Sequence, residues 1–336
     1  MNRKILIIIV IILGILAAAS LFFLRQKPAV TAGPNITPNT LTKVSDATVI
    51  SPVVTYDHNA FWYFNSDGHL FREDLDGSNL DEYPLPSDTP NFHQAVWPAA
   101  GDSFITMANA TADSSRKFYD SSAKKFITYP ANVQSFDFLP DGKRIAYIWE
   151  STDGKQSQLM VANADLSGYK ALSTVFWPDL QIKVSPDGLH ALLWRGQIQD
   201  TNKIYEADLT TGAFTTIVDA GKNTEAQWIG ANKFIYTQIS SSGPDLWLYD
   251  ASASKATDLG LAATLDQTAA DATGENLYVD LNDGQADSIY KFDLTTLQKQ
   301  LVYTFEATMH PHNVFMDGQI ICFINSSDGK LYTLTQ

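Results

Sequence analysis

The chain has 336 residues, of which 45% are hydrophobic and 18% are charged, so it can form a sizeable core and bulk disorder is excluded. Its 37 acidic residues outnumber 23 basic ones, and the net charge of −14 argues against nucleic-acid binding, because nucleic-acid phosphates would be repelled. The single cysteine, Cys322, excludes an intramolecular disulfide or a cysteine-cluster metal site, and its apolar neighbours predict a buried, unreactive thiol.

The first segment has the features of a membrane anchor. Residues 1–4 form a short basic tail, predicted to be cytoplasmic, and the uncharged run from Ile5 to Leu24 is long enough as a helix to span about 30 Å. A signal peptide is the alternative, because residues 17–19 (AAA) resemble a cleavage site, but the apolar run continues beyond them and favours an uncleaved anchor. Residues 25–42 are rich in Pro, Thr, Ala and Asn, which predicts a flexible linker.

The charge distribution bears on the orientation of this anchor. Residues 1–27 contain four basic and no acidic residues, so the rest of the chain has 19 basic against 37 acidic residues, a net charge of −18. Basic residues flank the apolar run on both sides, which gives only a slight positive-inside bias. Together with the signal-like start, the acidic body favours a single-pass protein of the cell membrane whose larger part is extracytoplasmic.

Residues 43–336 repeat one pattern seven times. A short strand comes first, and a near-continuous apolar run such as Ile145 to Trp149 follows, which predicts a second strand covered on both faces. A third, alternating strand and a short fourth strand complete each unit. A turn between the first two strands, Pro-Asp-Gly or its equivalent, places a marker residue every 41 to 46 positions, at His58, Gly101, Gly142, Gly188, Ala231, Gly274 and Gly318.

Four antiparallel strands in about 43 residues, repeated without helices, predict an all-β fold, namely a β-propeller of seven four-stranded blades preceded by one transmembrane helix. Stacked radially, each blade would cover the apolar faces of its neighbours. The last unit lacks a fourth strand, and residues 43–50 (KVSDATVI) are predicted to supply it, so that the two ends of the chain close the ring.

The stretch FDFLPDGKRIAYI, residues 136–148, followed by LMVANADLSGYKAL, residues 159–172, resembles the TolB-like, WD40-like (PD40-type) propeller repeat. Residues 54–80 and the stretch SPDGLHALLW are similar to the same repeat, and the resemblance covers roughly residues 50–336. It implies a propeller fold and, most often, binding to other proteins. The family carries no catalytic residues that could be assigned to positions of this chain.

The motifs G-x-S-x-G, H-E-x-x-H, G-x-x-x-x-G-K-[ST] and G-x-G-x-x-G do not occur in the sequence. Residues 121–124 match the motif S-x-x-K, but they lie in a predicted turn between strands, so no catalytic residue and no cofactor is predicted. Candidate ligand-binding residues lie instead in the loops between blades, which crowd around one end of the central channel. Three histidines among them could bind a metal, but such loops carry polar residues in any case, and no metal site is predicted. The candidates are His93, Trp177, which is expected to be exposed, Asp179, Glu225, Asp266, His310 and His312.

The sequence therefore favours a membrane-anchored, extracytoplasmic propeller that acts as a protein-interaction scaffold, with an envelope or surface protein as its partner. A receptor for a small ligand or glycan, or a propeller enzyme, that uses the channel mouth is the alternative. A third hypothesis is a module of a larger envelope complex without a ligand of its own. A deep polar funnel would favour the receptor, whereas a plugged channel beside a broad apolar patch would favour the scaffold.

Overall fold

A computed structural model describes residues 39–336 except 91, 109–115, 176, 178, 196–201, 221–223, 242 and 283, and without the side chains of residues 92, 93, 108, 202 and 220. The predicted anchor, Ile5 to Leu24, and most of the predicted linker lie outside the described residues. Within the described ranges, no helix is long and apolar enough to cross a membrane.

The described residues form seven four-stranded antiparallel sheets, and their only helix is the short 3-10 helix Leu265–Gln267. Blade 1 consists of β2 (Val49–Val54), β3 (Ala60–Asn65), β4 (Leu70–Asp74) and β5 (Asp81–Tyr83). Blade 2 consists of β6 (Phe92–Val96), β7 (Phe104–Ala108), β8 (Arg116–Asp120) and β9 (Lys125–Thr128). Blade 3 consists of β10 (Val133–Phe138), β11 (Arg144–Glu150), β12 (Ser157–Asn163) and β13 (Lys170–Val175). Blades 4 and 5 consist of β14 (Leu180–Val184), β15 (His190–Arg195), β16 (Asn202–Asp208) and β17 (Phe214–Ala220); and β18 (Ala226–Gly230), β19 (Lys233–Ser240), β20 (Gly243–Asp250) and β21 (Lys255–Leu261). Blades 6 and 7 consist of β22 (Thr268–Ala270), β23 (Asn276–Asn282), β24 (Asp287–Asp293) and β25 (Gln298–Thr304); and β26 (Pro311–Asp317), β27 (Ile320–Asn325), β28 (Lys330–Thr335) and β1 (Thr40–Lys43).

The second strand of each blade lies in the core. Ile145 in β11 has no exposed surface, and Ile148 in the same strand packs in one cluster with Leu193 and Tyr205 of blade 4. Cys322 in β27 is also fully buried, and this burial raises the pKa of its thiol, as predicted for an unreactive cysteine. Neighbouring blades thus cover each other's apolar faces, and the predicted all-β, seven-bladed propeller is confirmed.

The two ends of the chain close the ring, but through a different strand from the predicted one. β1 pairs with β28 from Thr40 to Lys43, and its first three residues belong to the segment that was predicted to be a linker. Of residues 43–50, the predicted closing strand, only Lys43 belongs to β1, and the last two residues belong to the first strand of blade 1. A four-residue edge strand with a single apolar side chain, Leu41, is too short to give a recognisable pattern. The compact propeller unit therefore begins at Asn39.

The turns after the first strands explain the spaced marker residues. Six of the seven markers have a positive φ, a backbone conformation that glycine adopts without strain. Gly142 in blade 3 has a φ of 65°, and a Cβ at this position would lie 1.9 Å from the carbonyl oxygen of Ala100 in blade 2. Glycine is therefore required here both by the turn and by the close approach of the preceding blade.

Candidate functional site at the central cavity

The first strands of blades 1, 2, 4, 5 and 7 line a central cavity of about 1430 Å³. Residues of β2, β14, β18 and β26 line it, together with residues of the loops before β14, β18 and β22. In an antiparallel blade, the turns after the first and third strands lie at one end, and the loops that enter from the previous blade lie at the other. We call these two ends the turn face and the loop face; the cavity reaches the loop face.

Four of the seven candidate residues lie in the wall of this cavity. Asp179, Glu225 and Asp266 belong to the loops that enter blades 4, 5 and 6, as the sequence predicts. His312 also lines the cavity, but it lies within β26 rather than in the loop before it. The structure therefore brings together these four side chains from four consecutive blades.

The other three candidates are placed differently. Trp177 is half-buried, and its ring stacks on Tyr205 with a centroid separation of 4.7 Å, so the expectation that it is exposed is wrong. His310 directs Nδ1 to Oδ2 of Asp287, at 2.7 Å, and is not among the residues that line the cavity. His93 lies within β6 rather than in the preceding loop, and its side chain is outside the described part of the chain.

Glu225 is held at the cavity wall by its backbone. Its N–H donates to Oγ1 of Thr237 over 3.1 Å, and its carbonyl oxygen accepts from the N–H of Thr237 over 3.0 Å. Thr237 is buried in β19, so these bonds fix the loop before β18. The residue is exposed, but it lies in the concave wall of the cavity, where neighbouring protein groups displace part of its hydration. This desolvation, and then the negative charge of Asp266, raise the pKa of Glu225.

The 3-10 helix carries Asp266 into the cavity wall. Leu265 is buried and anchors the helix, while the backbone N–H of Thr264 donates to Oε1 of Gln267 over 3.0 Å. The hydroxyl group of Thr264 donates to Oδ1 of Asp266. Local hydrogen bonds thus hold the Asp266 carboxylate in place without a ligand.

Charge is distributed unevenly around the cavity. Among the described lining residues, the charged ones all belong to blades 4, 5 and 6. Blade 4 contributes both signs, with Asp179, Lys183 and Arg195, whereas blades 5 and 6 contribute only the acids Glu225 and Asp266. Blades 7, 1 and 2 supply a largely apolar wall, which includes Pro52, Val53, Trp97, Val314 and Phe315.

Sequence reasoning missed the cavity-facing residues of the first strands themselves. In β14, Gln181 and Lys183 are exposed while the alternate residues are buried, and both polar side chains line the cavity. Nζ of Lys183 lies 3.5 Å from Oδ1 of Asp137 in blade 3, so its charge is compensated. The signal was the alternation of polar and apolar residues in this strand, which indicates a solvated face lining the channel.

A second missed feature is a buried carboxyl pair in blade 6. Asp280 in β23 is 2% exposed, its side chain is hydrogen-bonded to Gln267, and its Oδ1 has no hydrogen-bond partner among the described residues. Burial, and then the negative charge of Asp287, raise the pKa of Asp280 to about 7. Oδ1 of Asp287 accepts from Nδ2 of Asn282, and Oδ2 faces His310. The sequence signal for this pair was the acidic residue Asp280 inside the largely apolar second strand of blade 6.

In the part of the chain that the structure describes, no group of three or more His, Cys, Asp or Glu side chains is arranged to hold a metal ion. Apart from Lys183 and Arg195 of blade 4, the polar side chains of the cavity wall include carboxylates, amides and one imidazole. The carboxylates of blades 5 and 6, which have no basic lining residue beside them in their own blades, recognise hydrogen-bond donors and positive charge.

Comparison with solved structures identifies the fold. An oligogalacturonate lyase in complex with manganese is similar with a TM-score of 0.63 and 13% identity, over 89% of this chain and 96% of that chain. The WD40 repeats of RRP9 are similar with a TM-score of 0.61 and 8% identity, over 89% of this chain and 97% of that chain. TolB from Acinetobacter baumannii gives a TM-score of only 0.45 and 15% identity, over 89% of this chain and 80% of that chain.

No family model and no curated protein matches the sequence. At these identities the structural similarities show a shared propeller fold and nothing further about activity. Because one such neighbour is an enzyme and another a set of WD40 repeats, the fold alone does not decide between catalysis and binding.

Proposed function

We propose that the protein is a single-pass membrane protein whose extracytoplasmic propeller acts as a protein-interaction scaffold and receives a segment of its partner in the central cavity. The size and preorganisation of the cavity support this function. Its volume of about 1430 Å³ exceeds the roughly 300–1,000 Å³ typical of small-molecule sites. Hydrogen bonds fix both Glu225 and the 3-10 helix, so little ordering is required when a partner binds.

The membrane location rests on the sequence of the first segment. The uncharged run from Ile5 to Leu24 has the length of a transmembrane helix, and the acidic body would be repelled by anionic headgroups rather than bind them. An extracytoplasmic body can be tested with an introduced cysteine, because Cys322 is fully buried and gives little background labelling.

In intact cells, a full-length Asp67→Cys variant is expected to react with a membrane-impermeant maleimide. Residue 67 is exposed in the turn between β3 and β4, so accessibility within the fold is assured. Labelling of intact cells equal to that of lysed cells is the expected result. Labelling that appears only after lysis would place the propeller in the cytoplasm and contradict the orientation.

The mode of partner binding can be tested by photo-crosslinking of the full-length protein in its native membranes. A photoreactive phenylalanine at Gln227, which lines the cavity, is expected to form an adduct of defined mass with a partner protein. The same residue at Tyr169, which is 71% exposed on the turn face, serves as the control and is expected to form none.

The turn face is a real competitor for the partner. Five of the seven large apolar side chains that are exposed in the described structure lie in its turns, although they are spread over blades 1, 3, 4 and 6. An adduct from Tyr169 alone would show that the partner binds there and would overturn binding in the cavity. If neither position forms a protein adduct, the scaffold hypothesis fails.

A receptor for a small ligand is the second candidate, because the channel is open rather than plugged and its wall combines polar and apolar groups. Native mass spectrometry of the full-length protein, purified in mild detergent, separates the two functions. A retained small molecule, together with no protein adduct from residue 227, would favour the receptor.

A further inference from the structure

Blades 5 and 6 form a sector of the cavity with uncompensated negative charge. Glu225 and Asp266 are close enough for Asp266 to disfavour ionisation of Glu225, and the described lining residues of these two blades include no base. In blade 4, by contrast, Arg195 of β15 pairs with Leu180 of β14, which follows Asp179 in the chain. A positive and a negative side chain therefore lie close together in that blade. A positive charge bound between Glu225 and Asp266 would relieve their repulsion.

His312 is a further polar residue in the wall of the same cavity. It belongs to blade 7, which follows blade 6 in the ring, and its Nδ1 is buried without a hydrogen-bond partner among the described residues. A primary ammonium group carries three N–H donors and no acceptor. The two carboxylates of Glu225 and Asp266 supply acceptors for such a group.

The apolar wall of blades 7, 1 and 2 has no charged side chain among its described lining residues. A β-bulge interrupts β2 between Ile50 and Val53, with Ser51 at a φ of 50°, and bulges of this kind re-aim side chains. The indole N–H of Trp97 already donates to the carbonyl oxygen of Ser51 over 2.8 Å, so its polar atom is satisfied within the protein. Pro52 and Val53 complete a surface suited to aliphatic or aromatic groups.

We propose that the cavity binds a primary ammonium or guanidinium group on an apolar stem, with the cation between Glu225 and Asp266 and the stem against Pro52, Val53 and Phe315. This inference rests on the proposed binding role of the cavity and specifies the chemistry of the occupant. A lysine or arginine side chain flanked by apolar residues in a partner segment has this chemistry, and so does a free alkylamine.

Isothermal titration of the full-length protein in nanodiscs of zwitterionic lipid tests the proposal. The probes are the blocked tripeptide acetyl-Leu-Lys-Phe-amide, its counterpart with glutamine in place of lysine, and hexylamine, with empty nanodiscs as the blank. The lysine peptide is expected to bind at least ten-fold more tightly than the glutamine peptide. Glu225→Gln combined with Asp266→Asn is expected to remove this preference while leaving binding of the glutamine peptide unchanged.

Asp258→Asn is the matched control, because Asp258 is an exposed acid on the outer strand of blade 5 and does not line the cavity. It should retain the full preference for lysine. Binding of hexylamine with the same sensitivity to the double variant would identify a free amine as sufficient, whereas binding of the peptide alone would require flanking residues on both sides.

Equal affinity for the two peptides, binding of no probe, or a lysine preference that survives the double variant overturns the proposal. These outcomes are separate from a failure of the scaffold function. A crosslinked partner at residue 227 that persists in the double variant would retain cavity binding and reject only the cation subsite.

Discussion

Asp280→Asn is expected to raise the free energy of unfolding by about 4 kcal/mol at pH 8 and to leave it nearly unchanged at pH 4. Burial, and then the charge of Asp287, raise the pKa of Asp280 to about 7 in the folded protein, above the ordinary value of 3.8. Between about pH 4 and 7 the folded protein therefore retains a proton that the unfolded chain has released. Stability is lost as the pH rises through this window and stays lower above it. Asparagine has no such proton, so the variant escapes the loss.

Urea denaturation of the full chain at several pH values between 4 and 8 would measure this difference. The groups that face Asp280 are Asp287, His310 and the side-chain amide of Gln267, and all remain in the variant. Asp293→Asn, in the same blade, is a control of opposite sign, because backbone N–H groups of Thr296 and Thr295 lower the pKa of Asp293. The Asp293 carboxylate stabilises the fold at pH values above the pKa that this group has in the unfolded chain. Its removal should therefore reduce the free energy of unfolding at neutral pH. If the free energy of unfolding of Asp280→Asn depended on pH as that of the wild type does, the pKa of Asp280 would not be raised in the folded protein.

The ring could be predicted because its signal is repeated. Seven markers at nearly constant spacing, each followed by a run as apolar as Ile145 to Trp149, are compatible with few other architectures. The closing strand could not be located in the same way. It occurs once, it contributes one apolar side chain, Leu41, and its pairing with β28 joins residues almost 300 positions apart, which local patterns do not encode.

The candidate site was predictable where it depends on loop position alone. Asp179, Glu225 and Asp266 line the cavity because loops between blades converge on the channel, whatever their sequence. Trp177 was misplaced because its burial depends on Tyr205, a residue of another strand. The charge state of Asp280 likewise depends on Asp287, which only the folded hairpin of β23 and β24 brings beside it.

A propeller chain that begins at Val44 is expected to be less stable than one that begins at Asn39 by about 3–5 kcal/mol, with a Tm lower by roughly 5–10 °C. The two chains differ only by Asn39 and β1. Without β1, the edge of β28 loses its ladder partner, and the cluster that contains Phe323 and Leu334 loses the cover of Leu41. Differential scanning calorimetry of both chains provides the comparison.

The chain that begins at Asn39 is the control, since it retains the whole compact unit. Both chains keep Ser45, whose Oγ accepts from the N–H of Leu331 over 2.9 Å, so the connection from blade 7 to blade 1 is the same in each. An unpaired edge strand is a template for association, so the shorter chain should also form dimers or larger species that increase with concentration. Equal melting temperatures would mean that residues 44–50 can close the ring by themselves, because an unclosed propeller leaves both that edge and the apolar side of its last blade in water.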